Sequence, residues 1–138
     1  MTQPKGPLHG VKVVACSTAQ AGTVPYMLMA DLGAEVIKIE VPGKGDNSRT
    51  SSVFPGLPST YFETNNRGVK SFTLNMKSPE GKAVFVELLK KSDILMENFG
   101  PGVLDRFGFS WEKVHEILPC SVVQHLKDAV PLLTLAKI

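Results

Sequence analysis

The stretch Met27–Arg49, MLMADLGAEVIKIEVPGKGDNSR, passes from the end of a helix through a glycine stop into a β-branched strand and then into a glycine-rich, charged loop. That order is half of a βαβ unit. A strand entered from a helix pairs parallel with an earlier strand, because a hairpin needs no helix between its arms. It also sets a polar loop at the strand's carboxyl end, where open α/β sheets hold their ligands.

The flanking sequence extends the pattern. Val11–Ala15 is a short β-branched run after Gly10, and predicts a first strand. Ser17–Thr23 reads as a small-residue turn, and Pro25 suits the first turn of the following helix. Leu28 and Leu32, four residues apart, predict that helix's apolar stripe, and Gly33 its stop. Glu35–Ile39 is the second strand. Residues 41–67 hold three prolines and three glycines, so a long irregular excursion is expected there, of a kind often functional. Phe72–Met76 alternates as a third strand. Ser78-Pro79-Glu80 starts a helix with a hydroxyl cap, a proline and a carboxylate at the positive end of the dipole. Its body pairs Val84 with Leu88 and Phe85 with Leu89. Asp93–Glu97 is a fourth strand, Asn98–Gly102 opens a short helix stopped by Gly108, and Ser110 caps a last helix, Trp111–Leu118, closed by Pro119. The fold class is α/β: a parallel, doubly wound sheet flanked by helices.

Composition narrows the function. A chain of 138 residues, 43% hydrophobic and 20% charged, is one globular domain with a real core. A net charge of +2 with no basic run beyond Lys90-Lys91 gives no footprint for nucleic acid. No apolar stretch reaches the roughly 20 residues of a membrane span. Cys16 and Cys120 lack metal or redox spacing, which points to free thiols in a reducing compartment. With no targeting segment at either end, the expected location is cytoplasmic, the mitochondrial matrix being the alternative.

Candidate sites each carry two readings. Ser17–Thr23 is either an anion site at a helix start or an ordinary tight turn, since it has one glycine and no G-x-G-x-x-G. Arg67, Lys70 and Lys77 flank the third strand and either hold a phosphorylated ligand or protect a sheet edge. Arg106 binds phosphate or pairs with a neighbouring acid. His9, His115 and His125 lie on unrelated elements without metal-ligand spacing. Asp31 and Asp93 sit at helix-to-strand junctions. Asp46 in the glycine-rich loop is explained equally by function and by turn chemistry. No nucleophile elbow or Ser/His/Asp set is present, so the residues alone give a ligand-binding scaffold without a catalytic set.

Eight segments, from Leu8–Val14 through Ala30–Glu40 with Pro42–Asp46 and Arg49, Tyr61-Phe62 with Asn66-Arg67, Lys70-Ser71, Leu74–Lys77, Pro79–Gly81 and Asp93–Gly102 to Phe107–Trp111, follow one another at a recognisable spacing. In that order they resemble the amino-terminal part of the class III CoA-transferases, the formyl-CoA transferase and carnitine or bile-acid CoA-transferase group. The resemblance implies a Rossmann-like part of a CoA-transferase domain over residues 1–119, a truncated form of the family's large domain, and a divergent tail over 120–138. It implies transfer of CoA from an acyl-CoA to a small carboxylic acid through a catalytic aspartate, a covalent carboxylate mechanism. That aspartate lies some tens of residues beyond the position of Pro119, so no catalytic residue and no metal ligand is assigned. The CoA contacts it implies are Gln20 and Ala21; Leu74, Asn75, Met76 and Lys77; Asn98, Phe99 and Gly100; and Arg106. It also implies interlocked pairs of chains, hence a homodimer or pairing with a full-length subunit. Two departures bear on CoA: Val41 stands where formyl-CoA transferases have arginine, and Gly68-Val69 replaces an Asn-Lys pair.

Three functions follow. The first is the CoA-binding part of a CoA-transferase, without turnover alone. The second is a non-catalytic CoA-binding or interaction module that pairs with a full-length family member. The third is a generic dinucleotide-binding domain.

Overall fold

The computed structural model describes residues 6–52, 54 and 56–118, and the backbone of Val122–His125. In chain order it comprises β1 (Lys12–Cys16), α1 (Ala19–Asp31), β2 (Glu35–Glu40), a 3-10 turn (Asn47–Thr50), α2 (Thr60–Asn65), β3 (Lys70–Thr73), α3 (Pro79–Leu89), β4 (Ile94–Glu97), α4 (Val103–Arg106), α5 (Trp111–Ile117) and β5 (Val122–His125). The five strands form one sheet in the order β3-β2-β1-β4-β5, and every neighbouring pair is parallel. The α/β class, parallel sheet and flanking helices are those expected. Between β1 and β4 the strand order reverses, which makes that gap the topological switch point of the sheet.

β1 is buried on both faces, as a central parallel strand must be. Val13 and Ala15 pack with Tyr26 and Met27 of α1, Val36 and Met96. Val14 and Cys16 pack with Phe85 and Leu89 of α3, Leu95, Phe109 and Val114. On this second face Phe85 and Phe109 meet edge to face with ring centroids 4.9 Å apart. Val13 to Cys16 therefore serve the two cores alternately, and the architecture is helix, sheet, helix.

The helix ends obey local chemistry. Gly33, at φ +99°, closes α1: its N–H donates to Ala30 O (2.9 Å) and the Ala34 N–H donates to Met29 O (3.0 Å), a Schellman motif. Ser78 Oγ accepts the Gly81 N–H (3.0 Å) at the start of α3. Ser110 caps α5 in the same way.

Several expectations need correction. α1 begins at Ala19, so Pro25 lies inside it and not in its first turn. The missing Pro25 N–H removes the helical donor four residues beyond the Ala21 carbonyl, at a residue that is itself exposed. The buried face of α1 carries Gly22, Thr23, Tyr26 and Met27, whereas Leu28 and Leu32 are each nearly half exposed. Val84 likewise faces out, while Phe85 and Leu89 are fully buried. β3 ends at Thr73; Leu74 and Met76 alternate because both are buried beyond the strand's end. The excursion after β2 is ordered by the 3-10 turn and α2. Beyond the last expected helix, Val122–His125 adds a fifth strand along β4. Pro119, Cys120 and the His125 side chain lie outside the described residues.

A buried polar cluster organises that excursion. Alternation along β2 turns Val36, Lys38 and Glu40 inward together. Lys38 Nζ bonds to Asp46 Oδ2 and to Asn66 Oδ1 (2.7 Å), and the Tyr26 hydroxyl donates to the same Asn66 oxygen (3.0 Å). Glu40 accepts the Asp46 N–H (2.9 Å) and both Nε and Nη2 of Arg49 (2.7 Å each). Phe62 lies under both cations, with Arg49 Cζ 3.9 Å from its ring centroid. Among the described residues no helix is long and apolar enough to cross a membrane.

Burial pushes the Asp46 and Glu40 carboxyls up, but the hydrogen bonds from Lys38 and Ser48, and from Arg49, outweigh it and leave both below the usual carboxylate range. Burial pushes the Lys38 ammonium down, partly offset by Asp46. A depressed carboxyl pKa means that ionisation favours the folded state. That contribution is complete above the unfolded values of about 4 and vanishes as pH falls through the folded values. Melting temperature is therefore expected to hold near neutrality and to drop below about pH 4, with a shallower drop when Lys38→Met and Asp46→Asn are combined, which removes both buried charges. A melting temperature indifferent to acid would contradict this. At Gly81 an added Cβ would sit 1.9 Å from the Asn75 carbonyl oxygen. Gly81→Ala is expected to destabilise by about 1–3 kcal/mol, read from the urea midpoint; an unshifted midpoint would refute it.

Candidate functional site

The carboxyl ends of β1, β2, β3 and β4 open into a cavity of about 250 Å³. Its walls are mainly apolar: Cys16, Ile39, Leu74, Met76, Phe99, Val103 and Phe107 all line it. The polar side comes from Thr18, Asn75 and Lys77 and from the Lys38–Asp46 pair with Glu40. A mostly apolar pocket with a few placed polar groups, at the switch point of an α/β sheet, is the usual form of a small-molecule site.

Asn98 fastens the two sides of the switch point. Its Oδ1 accepts the Thr18 N–H (2.9 Å) and its Nδ2 donates to Thr18 O (2.7 Å), across 80 residues of chain. This amide holds Thr18 extended just before Ala19, which adopts the left-handed region at φ +56°. Such a conformation is unfavourable for a residue with a Cβ and persists only where its surroundings fix it. Gly22 belongs to the same joint: an added Cβ would lie 2.5 Å from Asn98 Nδ2 and 2.7 Å from Ser17 Cβ. On the β4 side, Glu97 Oε2 accepts the Phe99 N–H (2.7 Å) and shapes the turn that carries Asn98 and Phe99.

The expected contacts divide between positions. Leu74, Asn75, Met76, Lys77 and Phe99 all line the cavity. Asn98 stands beside it, its amide engaged with Thr18. Gln20 and Ala21 are exposed at the start of α1, and Gly100 is exposed after β4; none of the three lines the cavity. Arg106 is exposed and donates to Pro101 O (3.4 Å).

The cations around the third strand do not converge. Arg67 pairs with Asp31 (2.5 Å) and Lys70 with Glu35 (2.8 Å), leaving Lys77 alone of the three at the cavity. Asp93 accepts the Lys12 N–H at the opposite end of the sheet. His9 is exposed and His115 stacks edge-on against Trp111. Among the described residues no group of three or more His, Cys, Asp or Glu is placed to hold a metal ion.

Two features escaped the sequence reading. Lys38 was hidden inside a strand, although the alternation of Val36, Lys38 and Glu40 was the available signal. Cys16 stands in the cavity wall with its thiol pushed up to about 12 by burial, so it stays protonated and is no nucleophile. The two carboxylates lining the cavity, Glu40 and Asp46, are both held by cations. The arrangement can bind and orient a ligand; its described residues contain no uncommitted carboxylate to attack one.

Comparison with known proteins matches this geometry to one family. The profile of CoA-transferase family III fits residues 8–127. A formyl-CoA:oxalate CoA-transferase of Bradyrhizobium diazoefficiens is 46% identical over 125 residues, 90% of this chain and 29% of the relative. An acetyl-CoA:oxalate CoA-transferase of Acetobacter aceti is 44% identical, over 85% of this chain and 30% of its own length. Among solved structures, a CAIB/BAIF family protein of Brucella suis superposes with a TM-score of 0.80 at 34% identity, over 87% of this chain and 33% of that one. A Mycobacterium tuberculosis protein superposes at 0.81 with 35% identity, over 88% and 34%. The chain thus spans about a third or less of the relatives it matches. On the profile match and these identities, the chain belongs to CoA-transferase family III.

Proposed function

We propose that this chain supplies the CoA-binding elements of a CoA-transferase that moves CoA from an acyl-CoA to a carboxylic acid. The observation that carries the reading is the apolar cavity at the switch point, lined by Leu74–Lys77 and Phe99, the segments expected to touch CoA. Asn98 and Gly100 flank it, Gln20 and Ala21 offer the start of α1 to a phosphate, and Arg106 is a further cation for the ligand's charged end. The substrate class suggested by the relatives' names is a short acyl-CoA, formyl or acetyl, with oxalate as acceptor.

A second reading, a module that pairs with a copy of itself or with a longer family member, rests on Phe54 and Leu57. Both are more than 60% exposed, and Tyr61 is exposed nearby. Such apolar exposure suits a covered surface. The free, buried thiol of Cys16 fits a reducing compartment such as the cytoplasm.

Titration with CoA is expected to raise the melting temperature of the purified chain, as any ligand bound only by the folded state does. NAD at equal concentration should leave it unchanged. Stabilisation by NAD in place of CoA would favour a generic dinucleotide-binding domain. Lys77→Ala should weaken CoA several-fold without lowering the unliganded melting temperature, since Lys77 is exposed at the cavity. With Glu40 and Asp46 both committed to cations, the 138-residue chain alone is expected to show no CoA exchange between an acyl-CoA and a free acid; detectable exchange would overturn that expectation.

A further inference from the structure

The cavity and the buried polar cluster share a wall. Lys38, Glu40, Gly45 and Asp46 line the cavity, and Lys38, Glu40 and Asp46 are also the centre of the cluster. From the geometry of that wall we infer that the paired ion bridges Lys38–Asp46 and Glu40–Arg49 act as a positioning clasp. They hold the Val41–Arg49 turn in the shape that forms one side of the ligand cavity. The inference rests on the reading of that cavity as the CoA site, and deepens it by naming residues that set its shape.

Three observations carry it. First, the turn is anchored from two directions at once. Glu40 lies on β2 and reaches across to the Asp46 N–H and to Arg49, while Asp46 returns its own carboxylate to Lys38 on the same strand. The turn between them carries Val41 and Pro42, which contribute to the cavity wall. Second, the turn fits the clasp closely. Gly45 has φ +64°, and a Cβ there would stand 2.6 Å from Glu40 Oε2 and 2.9 Å from Arg49 Cδ. Third, ties of this strength exceed what a turn needs. Asp46 Oδ1 already accepts from the Ser48 N–H (2.8 Å) and hydroxyl (2.6 Å), and the Gly45 N–H donates to Val41 O (2.9 Å). Those local bonds would close a turn anywhere; the ion bridges, together with the Asp46 N–H bond to Glu40, fix where it lies against the strands.

Removing one member of a buried pair leaves the other charge uncompensated, so the test avoids single substitutions at Lys38 or Asp46. Lys38→Met/Asp46→Asn removes both charges and keeps an Oδ1 acceptor for Ser48. Arg49 has a 39% exposed side chain, and its Arg49→Ala and Arg49→Lys forms add a case and its conservative rescue. Each full chain is followed by amide hydrogen exchange and by calorimetric titration with CoA. The Gly45, Asp46 and Arg49 amides are expected to exchange about tenfold faster or more in the double variant and in Arg49→Ala, with the β1 and β4 amides unchanged. CoA affinity should fall about tenfold in both, because ordering the turn then falls to the ligand. Arg49→Lys should recover most of each loss. Unchanged exchange in the turn overturns the clasp, and so does a loosened turn with undiminished CoA affinity. If the unaltered chain takes up no CoA, the reading of the cavity falls and the positioning role with it. The exchange data separate that failure from a clasp that does not hold the turn.

Discussion

An ammonium group placed inside an α/β sheet dictates what the chain around it must do. Lys38 is 1% exposed, midway along a strand whose inward neighbours are Val36 and Glu40. An uncompensated charge in that position costs several kcal/mol. The chain cannot go directly from β2 to β3; it has to bring Asp46 and Asn66 back to Nζ and lay Tyr26 and Phe62 around it. The long excursion between the two strands, with its 3-10 turn and α2, is the structural answer to that demand. Glu40 and Arg49 extend the same logic toward solvent, since the inward carboxylate needs a cation and Arg49 supplies one from the surface. Burial forces the pairing, and the pairing fixes the loop.

A second joint, independent of charge, sets the other side of the cavity. Where the strand order reverses, the loops after β1 and β4 diverge toward opposite faces of the sheet, and nothing in the ladder ties them together. Asn98 does so with one amide, donating and accepting at Thr18. The cost is visible next door in the left-handed Ala19, and in the lack of room at Gly22 for any side chain. The ligand end is thus framed by two rigid ties, one ionic and one neutral, with the apolar wall between them.

How much of this could be read in the sequence followed the range of the forces involved. Elements set by near neighbours were legible: the Gly33 stop, the Ser78 and Ser110 caps, the Phe85 and Leu89 face, and the parallel order of strand and helix. Elements set from a distance were not. The start of α1 depends on Asn98, which lies 80 residues away from Thr18, so a proline that looked like a helix opening sits inside the helix. Its buried face follows the sheet beneath it, and Leu28 and Leu32 point outward despite their spacing. Among candidate site residues, Leu74–Lys77 and Phe99 line the cavity because they follow directly on strand ends. Arg67 and Lys70, equally cationic in sequence, are drawn off by Asp31 and Glu35, partners no local pattern reveals.

The charge left over at the cavity bears on how it would hold CoA, a ligand with several phosphate charges. Two lysines line the cavity among the described residues, and Lys38 is committed to Asp46 and Asn66. That leaves Lys77. Val41, where the resemblance expects arginine, is 62% exposed and adds apolar surface instead. Screening weakens exposed charge pairs at ordinary ionic strength, whereas apolar burial gains about 25 cal/mol for each Å² removed from water regardless of salt. With Lys77 as the one uncommitted cation in its lining among the described residues, and a wall of Ile39, Leu74, Met76, Phe99, Val103 and Phe107, the cavity proposed for CoA would draw its affinity chiefly from contact with the uncharged parts of the ligand. Contact of that kind depends on shape. On the proposed reading of the cavity, the position of the Val41–Arg49 turn, and with it the clasp behind it, then matters more to CoA binding than the count of positive charges at the rim.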